Sequence, residues 1–454
     1  MKMKRLMVFA GIILAIVPVA TVTYRLVNVT PPDGTSGDAQ VIAIFNDASC
    51  SLCHRQNSKL PFYTGFPIVG NIMRNGENRG FLRFDIGESI DRINRGEAVN
   101  ETVLAKMEMA TVTRPNMPPA GYFLTRWGSS ITSAKREILR EWIAGHREKF
   151  YPNPLAADRF RNEPVRPLPA SIPVDERIAA LGKKLFHDTR LSHGSTISCS
   201  SCHNLNTGGA DGRQYPEGID RILGRVNTPT VFNACLNGSQ FRDGRAPDLK
   251  TQTAEHLADP LAMNAVPFDR IMEKLLNDGD LKQSFDRLYE DGMTASSIAD
   301  AIESFEKTLL TPDCRFDRYL RGETGILDES GIRGYEIFKS NRCATCHAGV
   351  ILGGLSHERM GIHGDYFKDR GWEITKEDLG RFNQTSRKND RYRFKVPGLR
   401  NVALTKPYFH DGSRQTLYDA IKTMGTYQSG RSLKDSEIRA ITSFLESLTG
   451  EYEK

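Results

Sequence analysis

Apolar residues recur at helical spacing in three separate parts of the chain, whereas strand-like alternation is scarce. Spacings of three and four residues place such side chains on one face of a helix, and that face packs against a core. The apolar positions are Ala134, Ile138, Leu139, Trp142 and Ile143; then Ile298, Ile302, Phe305 and Leu309; then Ile438, Ile441, Leu445 and Leu448. The pattern predicts a mainly α protein with at least one amphipathic helix in each part.

The N-terminal segment has a different pattern. The run Leu6–Tyr24 contains no charged residue over 19 positions, and Lys2, Lys4 and Arg5 precede it. About 20 residues at helical rise cross a membrane, and basic residues remain on the cytoplasmic side. We therefore expect an uncleaved transmembrane helix in the inner membrane, with the bulk of the chain in the periplasm. The alternative is a signal peptide that is cleaved after Pro18-Val-Ala20.

One cysteine pattern, Cys-x-x-Cys-His, occurs three times and uses six of the eight cysteines. The pairs are Cys50 with Cys53, Cys199 with Cys202, and Cys343 with Cys346, and the histidines that follow them are His54, His203 and His347. Two cysteines at this spacing form thioethers to one haem, and the adjacent histidine reaches the iron. A redox pair or a zinc knuckle leaves the three histidines unexplained. The sequence therefore predicts three covalently bound haem c groups.

Proline-rich segments separate the parts of the chain. Two prolines interrupt a polar tether over 28–45, and a second segment is predicted to be a semi-rigid linker. Its prolines are Pro152, Pro154, Pro164, Pro167, Pro169 and Pro173. The predicted organisation is a membrane anchor over 1–27, a monohaem cytochrome c domain over 28–150, a linker over 151–173, and two further cytochrome c-like haem domains over 174–320 and 321–454.

The remaining cysteines and the charge change this picture little. Cys235 and Cys314 fit small buried positions, and a disulfide between them is the alternative in an exported protein. The net charge is +6, but the basic residues are interleaved with acidic ones. This distribution argues against a nucleic-acid partner.

The sixth iron ligand distinguishes an electron-transfer haem from a reactive one. Met117 stands in a proline-stiffened loop and is the predicted ligand opposite His54, with Met107 and Met109 as rivals. Met424 is the predicted ligand opposite His347. No Met-Pro loop accompanies the middle motif, where the alternatives are Met263, His187, His193 and His256. The His203 haem is therefore the candidate for an open, reactive iron.

Several further motifs resemble one family. They are Cys199-Ser-Ser-Cys-His-Asn with Gly208-Gly-Ala-Asp211, Asn227-Thr-Pro-Thr-Val-Phe-Asn233, Asp243-Gly-Arg-Ala246, Phe305-Glu-Lys-Thr-Leu-Leu-Thr-Pro312, and Val396-Pro-Gly-Leu-Arg-Asn-Val-Ala-Leu-Thr-Lys-Pro-Tyr-Phe-His410. These residues look like those of the bacterial dihaem cytochrome c peroxidases, from about residue 174 to the end. With a further haem domain ahead of them, the chain resembles the trihaem, membrane-bound quinol peroxidases.

The resemblance implies a role for each site. The His203 haem would be peroxidatic, and the His347 haem with Met424 would transfer electrons. A calcium ion would bind Asn227 and the backbone carbonyls of Thr405 and Pro407, since oxygen ligands suit a hard cation. Ile219 matches the position of a loop histidine that closes the peroxidatic iron in some relatives, so this iron is expected to be open without reductive activation.

Two positions depart from the family. Ala262 stands where the family has the distal glutamate that moves a proton between the peroxide oxygens, and alanine cannot do this. Gln252, Glu255 and His256 are the predicted catalytic residues near this position. Arg242, in Phe241-Arg242-Asp243, replaces the tryptophan that lies between the two haems of the family.

The predicted function is reduction of hydrogen peroxide to water, with electrons from a quinol or a small cytochrome. One alternative is a MauG-like haem oxidase of a protein or organic substrate, and another is a non-catalytic electron-transfer or sensor cytochrome. The expected partners are hydrogen peroxide, the electron donor and the inner membrane, and a homodimer remains open.

Overall fold

A computed structural model describes residues 17–31, 34–55, 64, 80, 84–119, 122, 126–259, 263 and 268–452. The chain divides into two compact units, Met1–Pro152 and Asn153–Lys454. In the described part of each unit helices dominate, as the periodicity predicts. The only strands among the described residues are β1 (His357–Arg359) and β2 (Arg393–Lys395), which pair antiparallel with His357 opposite Lys395.

The described core of the first unit is built from α-helices. They are α1 (Gly37–Asp47), α2 (Ser51–His54), α3 (Ile86–Asn94), α4 (Glu101–Glu108) and α5 (Ser133–Phe150), and a π-helical turn, Met109–Thr113, continues α4. Thr132 caps α5, because its side chain accepts a hydrogen bond from the backbone N–H of Lys135. Val41, Leu104, Leu139 and Ile143 lie in the buried core of this unit. The predicted helix over 133–148 is therefore confirmed.

The second unit contains the remaining α-helices of the described chain. They are α6 (Glu176–Phe186), α7 (Cys199–Cys202), α8 (Leu249–Leu257), α9 (Phe268–Leu276), α10 (Gly279–Leu288), α11 (Ala295–Glu306), α12 (Arg315–Leu320), α13 (Glu329–Ser340), α14 (Tyr366–Asp369), α15 (Phe382–Thr385), α16 (Leu417–Met424) and α17 (Asp435–Glu446). A second π-helical turn, Gly425–Ser429, follows α16.

Two helix pairs in this unit repeat one packing arrangement. Helix α6 packs on α11 in the part of the unit that contains the His203 motif, which we call the first lobe. Helix α13 packs on α17 in the part that contains the His347 motif, which we call the second lobe. A Cβ on Gly182 would lie 1.8 Å from the carbonyl oxygen of Ala301, and one on Gly334 would lie 1.9 Å from that of Ala440. Only glycine allows backbones to approach so closely. The second unit therefore consists of two lobes of similar design, each with its own hydrophobic core.

The N-terminal membrane prediction needs correction. Within the described residues, no helix has both the length and the apolar character needed to cross a membrane. The described end of the run Leu6–Tyr24 belongs to the helical residues 17–27. Residues 6–16 lie outside the described residues. The predictions of an N-terminal transmembrane helix and of a single-pass inner-membrane location are therefore wrong.

The proline-rich segment 151–173 also differs from its predicted form. Phe160, Val165 and Leu168 are buried, and the N–H of Gly349 donates to the carbonyl of Pro164 over 2.8 Å. The segment packs against the second lobe, because Phe160 and Val165 belong to its core and Leu168 belongs to a smaller buried cluster with Ile351.

A buried ion pair joins this segment to the second lobe. The guanidinium of Arg400 forms two hydrogen bonds with the carboxylate of Asp317, at 2.7 and 2.9 Å, and neither residue is more than 2% exposed. The guanidinium also donates to the carbonyls of Val350 and Arg166. The pair therefore connects α12, the loop after the His347 motif and the proline-rich segment.

We expect Arg400→Met to lower the free energy of unfolding by about 3–5 kcal/mol, because it leaves a buried carboxylate without its cation. Arg318→Met is the matched control, since Arg318 lies on the same helix as Asp317 and forms an exposed pair with Glu323. Denaturant unfolding monitored by circular dichroism measures both. Equal midpoints for the two variants would contradict this role for Arg400.

Candidate haem sites

The three Cys-x-x-Cys-His motifs share one local backbone geometry. In each, the N–H of the histidine donates to the carbonyl of the first cysteine, at 3.0 Å for His54, 2.9 Å for His203 and 2.9 Å for His347. This bond closes a single turn, so that both thiols and the imidazole belong to one compact element. The described geometry fits one haem per motif, with two thioethers and one axial imidazole.

The second cysteine of each motif lies on this turn as well. The N–H of Cys53 donates to the carbonyl of Cys50, and that of Cys346 donates to the carbonyl of Cys343, both over 3.2 Å. Cys202 is the last residue of α7. Cys53, Cys202 and Cys346 are partly buried, as their partners in the motifs are, and no disulfide involves any of them. The turns thus keep the two sulfurs of each motif close together, and thioether attachment at each cysteine stays a prediction.

The cysteine thiols do not resemble redox pairs. Burial raises the pKa of Cys50, Cys199 and Cys343 to about 12 and that of Cys202 to about 11, whereas redox-active Cys-x-x-Cys thiols have a depressed pKa. A redox role for these pairs therefore finds no support in their electrostatics, and the donor set fits haem c.

The two cysteines outside the motifs form no disulfide, so the alternative of a bond between Cys235 and Cys314 is wrong. Cys314 is buried and caps α12 through its sulfur, which accepts from the N–H of Asp317. Cys235 is partly buried beside the small cluster that contains Leu168 and Ile351. Both thus serve as small packing residues.

The histidine rings of the second unit are held by backbone carbonyls. Nδ1 of His203 lies 3.2 Å from the carbonyl oxygen of Gly209, and Nδ1 of His347 lies 3.0 Å from that of Leu352. A carbonyl only accepts, so Nδ1 carries the proton and Nε2 keeps its lone pair. Burial lowers the pKa of both imidazoles, which favours the neutral form that binds a metal. Both rings are therefore prepared for iron at Nε2.

The two predicted axial methionines lie beside the two π-helical turns. Met117 is partly buried in the loop after the π-helical turn of the first unit, where its N–H donates to the carbonyl of Ala110. Its rival Met107 is buried in the core of that unit. Met424 ends α16 and packs against an aromatic cluster that includes Tyr366. The axial role of Met117 and Met424 stays a prediction.

The alternatives for the sixth ligand of the middle haem differ in their surroundings. Met263 is buried in the core of the first lobe, and His187 and His193 are exposed. His256 differs from these three, because a charge on His203 lowers its pKa. The two rings are therefore near each other. Burial lowers the pKa of His256 to about 4, so this imidazole is neutral at pH 7.

The other predicted catalytic residues lie on the same helix, α8. Gln252 is partly buried. Glu255 is exposed, and one of its carboxylate oxygens accepts a hydrogen bond from Arg245 over 2.9 Å. Ala262 lies outside the described residues. Among the predicted acid–base groups, His256 is thus partly buried and neutral at pH 7.

The predicted calcium ligand Asn227 already accepts hydrogen bonds from an arginine side chain. The guanidinium of Arg242 donates to the carbonyl oxygen of Asn227 over 3.0 Å and to its Oδ1 over 3.3 Å. Thr405 follows a 3-10 turn at Val402–Leu404, and a cis peptide bond precedes Pro407. A divalent ion on Asn227 Oδ1 would lie against the guanidinium, so the geometry at this residue does not fit calcium.

The sequence reasoning missed one buried charged cluster. Asp378, His410 and Asp411 have ligand atoms close enough to hold a metal ion, but Arg370 binds both carboxylates at 2.7 and 2.8 Å. Nε2 of His410 lies 2.7 Å from Asp378. The cluster borders a cavity of about 220 Å³ that Trp372 also lines. No sequence motif predicts this cluster, because Arg370 and Asp378 stand in an ordinary charged stretch far from His410.

Comparisons with known proteins agree with this geometry. A haem-binding domain matches residues 9–145, a di-haem cytochrome c peroxidase domain matches 176–325, and a cytochrome c domain matches 332–449. The chain is 40% identical over 417 residues to "Cytochrome c peroxidase Ccp" of Escherichia coli K12, covering 92% of this chain and 89% of that protein. It is 41% identical to a cytochrome c551 peroxidase of Nitrosomonas europaea over 64% of this chain and 85% of that one.

More distant relatives match about two thirds of this chain. A methylamine utilization protein MauG of Methylorubrum extorquens is 30% identical over 64% of this chain and 84% of its own length. The crystal structure of a MauG-like protein associated with microbial copper homeostasis superimposes with a TM-score of 0.56 at 27% identity, over 63% of this chain and 93% of that one.

The fold and the sites therefore define a c-type cytochrome with covalently bound haem. The chain belongs to the di-haem cytochrome c peroxidase family, and it is an oxidoreductase. The predicted family and the predicted covalent haem c are confirmed.

Gly209 offers a test of the proximal geometry, because it has a φ of +72° and a Cβ there would lie 2.8 Å from Oγ1 of Thr230. We expect Gly209→Ala to lower the free energy of unfolding by about 1–3 kcal/mol more than Gly325→Ala. Gly325 also has a positive φ, of +75°, but nothing lies within 4 Å of its Cβ position. Denaturant unfolding of the two variants would disprove this expectation if their costs were the same.

Proposed function

We propose that this protein reduces hydrogen peroxide to two molecules of water, taking two electrons from a small cytochrome or a quinol and two protons from solvent. Haem supplies the redox chemistry when it is bound at the three motifs. The His203 site receives the peroxide, and the His54 and His347 sites relay electrons. The observation that carries the proposal is the pairing of two similar lobes with different surroundings, Met424 in one and the neutral His256 in the other.

The chain's own residues have defined tasks in this proposal. The carbonyl of Gly209 orients the ring of His203, so that Nε2 faces the iron. A second group must take a proton from one peroxide oxygen and return it to the other. A neutral imidazole has one nitrogen that accepts and one that donates, and His256 is such an imidazole. Glu255 is held by Arg245 at the surface and is the weaker candidate.

We expect His256→Gln to lower kcat/KM for hydrogen peroxide by about 10²–10⁴-fold, the usual contribution of a positioned acid–base group. Glu255→Gln, a change on the adjacent residue of the same helix, should leave this constant within about threefold of the wild type, since an exposed carboxylate contributes little to a buried proton transfer. Stopped-flow reoxidation of the reduced protein measures both. A larger loss for Glu255→Gln than for His256→Gln would reverse the assignment.

The number of haems is a separate expectation. We propose three per chain, and mass spectrometry of the denatured protein should show three added haem masses. The double variant Cys50→Ala/Cys53→Ala should carry two, and so should Cys343→Ala/Cys346→Ala, because thioether attachment needs these thiols. Cys235→Ala should keep all three, since Cys235 lies outside the motifs. Two haems on the wild-type chain would remove the first unit from the electron path.

The Cys50→Ala/Cys53→Ala variant also tests where electrons enter. After chemical reduction, its remaining haems should still be reoxidised by peroxide, but turnover with a small cytochrome or a quinol should be lost. Unchanged turnover with either donor would place electron entry at the second unit.

Oxidation of a protein or an organic substrate is a second candidate. The similarity to MauG proteins favours it, as does Ala262 at the position of the family's proton-carrying acid. Slow turnover with every electron donor, together with peroxide-dependent oxidation of an added organic reductant, would favour this candidate over peroxide reduction.

A further inference from the structure

Two cations of the second unit lie side by side without a carboxylate partner. The N–H of Lys395 donates to the carbonyl of Arg242 over 2.7 Å, so the two residues are neighbours through the backbone. Nζ of Lys395 donates to the carbonyl of Ser239 over 3.0 Å. Nε of Arg242 is enclosed and has no hydrogen-bond partner among the described residues. Within the described chain, neither cation lies within 4.0 Å of a carboxylate oxygen.

Both residues of this pair are partly buried, and Nε of Arg242 is fully enclosed. Burial lowers the pKa of Arg242 to about 10 and that of Lys395 to about 7. The negative charge of Asp411 raises the pKa of Arg242, and that of Asp243 raises the pKa of Lys395. Each acid is already bound by another arginine, Asp411 by Arg370 and Asp243 by Arg245. Neither acid is therefore a full counter-charge for the pair.

The wider surroundings are positive as well. His357 pairs with Lys395 across the two strands. Its pKa is lowered to about 4, mainly by burial and then by the charges of Arg381, Lys395 and Arg393. This histidine is thus neutral at pH 7, and the pair stands in a region with an excess of positive charge.

Two guanidinium groups of the same unit, whose side chains are only 1% exposed, are paired with carboxylates. Arg400 binds Asp317, and Arg370 binds Asp378 and Asp411. A desolvated cation without an anion is costly, and proteins usually pair it or neutralise it. Arg242 and Lys395 have no such carboxylate partner in the described chain, and their position together points to an anion that is not part of the polypeptide.

The position of the pair indicates which anion this is. Arg242 binds Asn227, two residues before Pro229, whose carbonyl raises the pKa of His203. Lys395 stands two residues before Pro397, whose carbonyl acts in the same way on His347. The pair thus joins the two loops that support the axial histidines. Haem c has two carboxylate side chains that take no part in thioether attachment or iron ligation.

We propose that Arg242 and Lys395 bind haem carboxylates at the junction between the His203 and His347 sites. In this arrangement they are positioning residues that orient the macrocycle. Their positive charge also favours the reduced iron and raises its midpoint potential. The inference rests on the haem assignment and not on peroxide as the substrate, so its test is independent of turnover.

The test measures the midpoint potentials of the haems of the second unit by spectroelectrochemistry. Arg242→Gln keeps a donor toward Asn227 but removes the charge, and Arg242→Lys keeps the charge. We expect Arg242→Gln and Lys395→Gln each to lower at least one potential by a tenfold change in the one-electron equilibrium, which is about 59 mV. Arg242→Lys should retain most of the wild-type value. Arg221→Gln, which removes an exposed cation, should change neither potential.

A second measurement separates carboxylate binding from a general field effect. The propionate bending band in the resonance Raman spectrum reports hydrogen bonding to the haem carboxylates, and we expect it to shift in Arg242→Gln and Lys395→Gln but not in Arg221→Gln. Unchanged potentials and an unchanged band in both Gln variants would overturn the proposal. If Arg242→Gln does not fold, Lys395→Gln decides the question, since its ammonium group makes a single hydrogen bond to the described chain, to the carbonyl of Ser239.

Discussion

The hydrogen bond from an imidazole Nδ1 to a backbone carbonyl is the interaction on which the account of the second unit depends. It occurs twice, from His203 to Gly209 and from His347 to Leu352, and in both cases it selects the tautomer whose Nε2 can bind iron. The same two lobes repeat a close helix crossing at a glycine. The repeated design gives two comparable haem sites, so that the differences between them, not the fold, determine which one reacts.

Buried ion pairs hold these lobes and their connecting segments together. Arg400 with Asp317, and Arg370 with Asp378 and Asp411, each join segments that are far apart in the chain. Such pairs are costly to desolvate, and a buried charge is tolerated only when it is paired with an opposite charge. Arg242 and Lys395 lie side by side and have no carboxylate partner of this kind in the described chain. They lie next to the two loops whose proline carbonyls contact His203 and His347.

Much of the architecture follows from local sequence. The predicted amphipathic helices, covalent haem c and the family were confirmed, because each depends on residues close together in the chain. The predicted transmembrane helix was not confirmed, since no described helix is long and apolar enough to cross a membrane. The packing of the proline-rich segment could not be predicted, because Val165 joins a core with residues far along the chain, such as Phe338 and Leu352. The partners of Arg242 and the Arg370 cluster could not be predicted, since they arise from contacts between segments without any motif.

The central claim is that the iron above His203 has an open coordination site, whereas the other two irons are saturated. Electron paramagnetic resonance of the fully oxidised protein tests it most directly, because it distinguishes high-spin from low-spin ferric haem. The account predicts one high-spin and two low-spin signals, each integrating to one iron per chain. Three low-spin signals would contradict it, since the His203 iron would then carry a permanent sixth ligand from the protein.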